Sequence, residues 1–172
     1  FERMVAHPKI RVELETDYFK TDWFGDQSIL TVYTGPVDQF WEYQYGPLGW
    51  RTLDFTLETH DMDYFQGGSV VNYPDIHYDF TRIHEFKHLH PEREHLLGKT
   101  IIAKEFSRPA GVGDDPYYPV NTAEDRSKLL SYRKLANSLP NTIFGGRLGS
   151  YLYLDMHLSL IHISEPTRLL SI

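Results

Sequence analysis

Glycine, arginine, tyrosine and aspartate are concentrated in one stretch near the end of the chain, GGRLGSYLYLDMH at 145–157. Glycine lets a backbone approach a ligand closely, and arginine and tyrosine donate hydrogen bonds to a phosphate or a carbonyl. A helix predicted to begin near Asp155 would direct its free N–H groups, with their partial positive charge, back over the glycines. The stretch is therefore suited to an anion. Its spacing matches neither GxGxxG nor a P-loop, so spacing alone favours a plain tight turn.

Two further segments carry residues suited to the same chemistry. In DDPYYPVN, Tyr117 and Tyr118 lie between two prolines, which stiffen the segment. A phenol donates one hydrogen bond to a phosphate without adding charge. Arg82, in DFTRIHEFKH, lies in a predicted strand, where a guanidinium either serves an anion or extends into solvent. Taken singly, the tyrosines are explained by packing and Arg82 by solvent exposure.

Histidines are frequent between the predicted strands, and a metal site is one interpretation of them. His84, His88 and His90 would share one face of a strand, and His95 follows shortly after. The spacing HExxH occurs once, as HEFKH at 84–88, but that segment is a predicted strand, and no predicted helix places two ligands one turn apart. We therefore predict no metal site and interpret these histidines as sheet and loop residues on an acidic surface.

The periodicity of apolar residues predicts strands first and helices later. The predicted strands are 10–15, 29–34, 50–58, 68–73, 80–90, 100–107 and a short one at 142–144. Helices are predicted at 37–43, at 121–139 with Asn121 or Thr122 as N-cap, and from near Asp155. Hairpin-like strands followed by helix, strand, glycine loop and helix indicate an α+β protein with an antiparallel sheet.

Composition narrows the class of protein. The chain has 172 residues, of which 41% are hydrophobic, 24% charged and 15% aromatic, as in a globular protein rich in strands. Its net charge of −7 argues against a nucleic-acid partner. There is no cysteine, no apolar run of the roughly 20 residues that span a membrane, and no leader-like opening. We therefore expect a cytoplasmic protein without a membrane span.

The last stretch, LSLIHISEPTRLLSI at 158–172, differs in character from the rest. Pro166 interrupts the helix predicted from Asp155, and the run resembles translated sequencing-adaptor DNA. We predict that it is a non-native tail; a genuine short amphipathic tail is the alternative.

Five stretches in series resemble the UDP-galactopyranose mutase family of flavoenzymes. They are VYTGPVDQFWEYQYGPLGWRTLDF, FQGGSVVNY, FTRIHEFKHLHPERE, DDPYYPVNTAEDR and FGGRLGSYLYLDMH, which together cover most of 10–157. The resemblance implies the C-terminal half of such an enzyme, since the family's GxGxxG fingerprint and helical domain are not in this sequence. It assigns 1–40 to part of an FAD-binding region, 41–120 to an antiparallel-sheet substrate region, and 121–157 to a helix and the returning part of a Rossmann-like FAD-binding domain.

The resemblance also implies a reaction. Reduced FAD would attack the anomeric carbon of UDP-galactose through N5 as UDP leaves. The flavin–sugar adduct would then open and reclose through another hydroxyl, and UDP would return, which interconverts the pyranose and furanose forms without net redox. Arg82 matches the family's catalytic diphosphate arginine, Tyr118 and Tyr153 match two diphosphate-binding tyrosines, and Asn72 matches a polar substrate contact. The residues implied for FAD are Thr34, Gly35, Gly146, Arg147, Asp155 and Met156.

One local departure from the family precedes Arg82, where Asp79-Phe80 replaces Pro-Tyr. The resemblance leaves a homodimer of the full-length enzyme open, and we expect this chain alone to be inactive.

Two other classes of protein remain as alternatives. An FAD-dependent oxidoreductase of the amine-oxidase-like fold would show net flavin reduction by its substrate. A carbohydrate-binding β-domain would fold alone and bind sugar without flavin.

Overall fold

The computed structural model describes residues 2–111 and 113–164, with the side chains of 162–164 excepted. Its strands are β1 (Thr31–Tyr33), β2 (Trp50–His60), β3 (Val70–Asn72), β4 (Arg82–Glu85), β5 (Thr100–Pro109), β6 (Tyr118–Pro119) and β7 (Thr142–Phe144). Its α-helices are α1 (Glu2–Val5), α2 (Val37–Phe40), α3 (Ala123–Ala136), α4 (Gly146–Ser150) and α5 (Met156–Ser164). Short 3₁₀ helices lie at Tyr18–Lys20 and Phe86–Leu89. The fold is thus a mixture of helices and antiparallel sheet, as predicted for an α+β protein.

Five strands form one antiparallel sheet in the order β3-β4-β5-β2-β6. Its long central pair, β2 and β5, is in register from Arg51 opposite Pro109 to His60 opposite Thr100. Residues directly opposite each other in neighbouring strands point to the same face of a sheet. The register therefore determines which side chains of distant sequence segments meet, and it confirms the predicted antiparallel sheet.

The other two strands, β1 and β7, form a separate parallel pair, with Thr31 opposite Thr142 and Tyr33 opposite Phe144. Parallel strands present their carboxyl ends at one edge, so the turns that follow β1 and β7 lie side by side. The N–H of Gly145 donates to the carbonyl of Tyr33 at 3.0 Å. A Cβ on Gly149 would lie 3.0 Å from that same carbonyl oxygen, which is a tight contact, so glycine at this position favours the close packing of α4 against β1.

Three predicted elements are wrong. The segment 10–15 is not a strand; its residues are exposed, and strands need a partner and a buried face. The predicted strand 80–90 ends at Glu85 and continues as a 3₁₀ helix. The glycine loop is the short helix α4, which ends at Tyr151 in a left-handed conformation (φ 53°).

A helix beginning next to Asp155 is confirmed, since α5 starts at Met156. It continues to Ser164, into the stretch predicted to be a non-native tail, whose residues 165–172 lie outside the described part of the chain. Among the described residues, no helix has the length and apolar character needed to cross a membrane.

The main core joins α3 and α4 to one end of the large sheet. It consists of Val37, Leu48, Trp50, Leu129, Tyr132 and Tyr151. Tyr151 packs edge-on against Trp50, and its hydroxyl donates to the Gly49 carbonyl at 2.6 Å and accepts from the Asn121 N–H at 3.1 Å. These contacts fix the end of α4, and so the segment that follows it, relative to the sheet.

Helix α3 begins with a capping box, and the N-cap is Thr122. The Thr122 hydroxyl accepts from the Asp125 N–H at 3.1 Å, and the Asp125 carboxylate accepts from the Thr122 N–H at 2.9 Å. The second Asp125 oxygen accepts from the Gly49 N–H at 2.8 Å, which ties the helix to the sheet. Burial acts to raise the pKa of Asp125, but the hydrogen bonds from Thr122 and Gly49 outweigh it, and the pKa is lowered.

We expect Asp125→Ala to lower the free energy of unfolding by about 2–4 kcal/mol, because it removes a cap and leaves a part-buried N–H without its acceptor. A carboxyl with a lowered pKa in the folded state stabilises the protein at neutral pH, and that contribution is lost as the pH falls through the folded pKa. Urea unfolding of the full-length protein at neutral and acidic pH measures both effects. Glu124→Ala, an exposed acid in the same helical turn, is the control; an equal loss in both variants would contradict the prediction.

Candidate functional site

Arg82 lies on β4, between strands that each supply it with a partner. Its Nε donates to Asn72 Oδ1 on β3 at 3.1 Å and lies 3.8 Å from Glu105 Oε1 on β5. The register explains both contacts, since Arg82 is opposite Asn72 on one side and Glu105 on the other. The Arg82 side chain is 40% exposed. Its Nε is thus held by the sheet, while the guanidinium remains accessible to a ligand.

Tyr118 lies on β6, the edge strand at the opposite side of the sheet from β3, yet its side chain is close to Arg82. Tyr118 is opposite Arg51 on β2, and Glu105 is opposite Phe55 on the same strand, so Tyr118 and Arg82 share one sheet face. The hydrogen-bonding Tyr118 hydroxyl is the main cause of a raised Arg82 pKa, followed by the charge of Glu105. The Arg82 side chain therefore stays cationic and lies next to a phenol.

Tyr153 and Arg147 complete this cluster from the segment around α4. The rings of Tyr118 and Tyr153 are stacked, with centroids 5.7 Å apart and an interplanar angle of 25°. The Arg147 guanidinium carbon lies 4.3 Å from the Tyr153 centroid and 5.3 Å from that of Tyr118, within the range of cation–π contacts. Arg147 Nη1 also donates to the Tyr117 carbonyl at 3.2 Å. Two guanidinium groups and two phenols thus meet at one place.

Glu105 is a part of this cluster that the sequence analysis did not single out. Its side chain is only 5% exposed, and it accepts from Thr81 Oγ1 at 2.9 Å while His84 Nε2 lies 3.0 Å from its other oxygen. A buried carboxylate beside a guanidinium orients that guanidinium. The available signal was an acidic residue inside the predicted strand TIIAKEFS.

Of the six residues implied for FAD, Arg147 lies in the cluster with Tyr118 and Tyr153, and the other five fall into two groups. Thr34 and Gly35 follow β1, and Gly146 follows β7, at the shared carboxyl edge of the parallel pair; a Cβ on Gly146 would lie 3.8 Å from the Thr34 Cβ. Ligands bind at this edge in open parallel sheets, and glycine turns allow the close approach that a dinucleotide needs, so these residues fit one. Asp155 and Met156 are exposed at the start of α5. Among the described residues, these two make no side-chain hydrogen bond or ring contact with the cluster of Arg82, Arg147 and the tyrosines.

Two of the four histidines contact buried glutamates. His84 contacts Glu105, and His88 Nε2 lies 3.3 Å from Glu85 Oε2 and 2.9 Å from the Gln66 carbonyl. His95 contacts the His90 carbonyl at 2.7 Å. Within residues 2–111 and 113–164, no group of three or more histidine and acidic side chains could hold a metal ion.

Fold and site together define an α+β protein whose antiparallel sheet carries a cationic and aromatic cluster beside two glycine turns. A family model described as GLF: UDP-galactopyranose mutase matches residues 1–153. The chain belongs to the UDP-galactopyranose mutase family, which confirms the resemblance drawn from its motifs.

Named relatives agree with this assignment. The chain is 40% identical over 92% of its length to a probable UDP-galactopyranose mutase of Klebsiella pneumoniae, covering 40% of that protein. It is 33% identical over 98% of its length to a dTDP-fucopyranose mutase of Escherichia coli, covering 45% of it. It is 33% identical over 91% of its length to a UDP-galactopyranose mutase of Mycoplasma pneumoniae, covering 42% of it. The chain thus spans less than half the length of these relatives.

Proposed function

We propose that this chain is the C-terminal part of a sugar-nucleotide mutase that interconverts UDP-galactopyranose and UDP-galactofuranose. Family membership supports the reaction class. The observation that carries the proposal is the meeting of Arg82, Tyr118 and Tyr153 on one sheet face, although they come from three separate segments. Such a cluster suits a diphosphate, which takes hydrogen bonds and charge from a guanidinium and hydrogen bonds from phenols.

Each residue of the cluster has a definable task. Arg82 neutralises the charge that develops on UDP as its bond to the sugar breaks, because its side chain is part-exposed while Asn72 holds Nε. In this arrangement Asn72 acts on Arg82 and, through it, on the substrate. The hydroxyls of Tyr118 and Tyr153 fix the diphosphate without adding charge, so UDP is retained for its return to the sugar.

FAD is the cofactor of the proposed reaction. Thr34, Gly35 and Gly146 would hold it at the carboxyl edge of β1 and β7, with Arg147 next to them and Asp155 and Met156 beyond. These strands would be the returning part of a Rossmann-like domain, with 1–40 and 121–157 on the FAD side and 41–120 on the substrate side. When bound in its reduced form, FAD would supply the nucleophile for a reaction without net redox change, and the residues named here would hold it in place.

The test uses the full-length enzyme that contains this sequence, purified with FAD. After reduction with dithionite, we expect it to convert UDP-galactofuranose into UDP-galactopyranose and to establish the reverse equilibrium, measured by chromatographic separation of the two nucleotide sugars. The oxidised enzyme is the control and should show no conversion. dTDP-fucopyranose is a second substrate to test, because one relative is named for it.

The proposal fails if the reduced enzyme converts neither nucleotide sugar. If only dTDP-fucopyranose is converted, the proposed reaction class stands, but the proposed substrate is wrong. Consumption of oxygen or net reduction of FAD by a substrate would instead support an oxidoreductase.

A further inference from the structure

We propose that His84 is a positioning residue for Arg82, and that it acts through Glu105. The inference rests on the proposed function and names a residue that holds the diphosphate arginine of that same site. His84 lies two residues after Arg82 on β4, so the two side chains share a sheet face. Both are also directed at the carboxylate of Glu105 on β5.

The two oxygens of Glu105 have different partners. Oε1 accepts from Thr81 Oγ1 at 2.9 Å and lies 3.8 Å from Arg82 Nε. Oε2 is 3.0 Å from His84 Nε2. An ionised carboxylate only accepts hydrogen bonds, so His84 Nε2 is the donor in this contact. His84 and Thr81 therefore fix the rotation of the carboxylate and hold one oxygen away from the guanidinium.

Removing the His84 donor leaves Glu105 Oε2 buried without that hydrogen bond. A buried acceptor that has lost its donor takes the next one within reach, and Arg82 is the adjacent cation. The carboxylate would then turn and draw Arg82 into a closer ion pair. Arg82 would lose its hold on Asn72 and its orientation towards Tyr118, and a diphosphate would meet a guanidinium already paired with a carboxylate.

The surroundings of His84 allow its hydrogen bond to be removed without disturbing the packing. The His84 ring is edge-on to Phe55, with centroids 6.0 Å apart, and parallel to Phe86 at 6.5 Å. An apolar side chain can therefore take its place between the two rings. Leucine removes the donor, whereas the amide nitrogen of glutamine can occupy the position of Nε2 and keep it.

The experiment compares His84→Leu with His84→Gln in the full-length enzyme with FAD bound. UDP affinity is measured calorimetrically on the oxidised enzyme, and kcat and KM are measured on the reduced enzyme with UDP-galactose. We expect His84→Leu to raise the Kd for UDP about tenfold and to lower kcat about tenfold, because Arg82 also stabilises the charge that grows as the sugar leaves. His84→Gln should remain within about threefold of the unmodified enzyme in all three.

His88→Leu is the matched control, because His88 also contacts a buried glutamate, Glu85, which lies on the opposite face of β4. It should lower the melting temperature and leave the Kd for UDP unchanged. If His84→Leu does not yield soluble protein, His84→Phe is judged by the same criteria.

Unchanged Kd and kcat in His84→Leu, or equal losses in His84→Leu and His84→Gln, would overturn the role of His84 while the proposed function stands. Failure of the unmodified enzyme to bind UDP would overturn the proposed function itself. The two failures are therefore distinguishable in one series of measurements.

Discussion

Arg82→Lys in the full-length reduced enzyme is expected to lower kcat/KM for UDP-galactose by about 100- to 1000-fold, the loss typical of removing one preorganised donor to a developing charge. Lysine keeps the positive charge but has one ammonium group at its end. It cannot bond Asn72 and at the same time present the planar pair of donors that matches a phosphate. Most of the loss should appear in kcat, because the negative charge on UDP grows as the sugar leaves.

Arg108→Lys provides the matched control for this change. Arg108 lies on β5 of the same sheet, where it forms exposed ion pairs with Asp54 and Asp114 and makes no contact with the cluster. Its replacement should leave kcat/KM within about twofold. FAD content, read from the flavin absorbance, should be normal in both variants. Near-normal turnover of Arg82→Lys would remove Arg82 from the site, whereas loss of FAD would make it a structural residue.

The elements that sequence predicted well are those whose signals are local. Strand β2 and helix α3 carry their own periodicity, and Thr122 with Asp125 specifies the start of α3 over four residues. One wrong prediction depended on a distant partner. The segment 10–15 has the β-branched composition of a strand, but composition does not supply a neighbour to pair with.

The candidate site also has a part that local motifs predict and a part that depends on the pairing of distant segments. Arg82, Tyr118 and Tyr153 were named from motifs, each of which lies within one short segment. That these side chains meet depends on the register of four strands and on the end of α4, which no single segment encodes. Glu105 was missed for this reason: its partnership with Arg82 spans 23 positions of sequence and follows only from the pairing of β4 with β5.

The second large effect is expected on the Kd for UDP when the hydroxyls of Tyr118 and Tyr153 are removed. It tests whether the residues of the cluster act on UDP together. Tyr118→Phe and Tyr153→Phe are each expected to raise the Kd for UDP about tenfold, because each loses one hydrogen bond to a charged group. The stack of the two rings and their contact with Arg147 would survive, since phenylalanine keeps the ring. Tyr117→Phe is the control, because the contact that Tyr117 makes with Arg147 uses only its backbone carbonyl.

The double variant Tyr118→Phe/Tyr153→Phe should weaken UDP binding by clearly less than the product of the single effects, by about 30-fold where independent sites would give 100-fold. Residues in contact that serve one charged group do not contribute additively, because losing the first hydroxyl lets the diphosphate shift and weakens the second bond. Calorimetric titration of the four proteins with UDP measures this coupling. A double-variant loss equal to the product would mean that the two hydroxyls act on UDP independently, and the cluster would then not work as a unit.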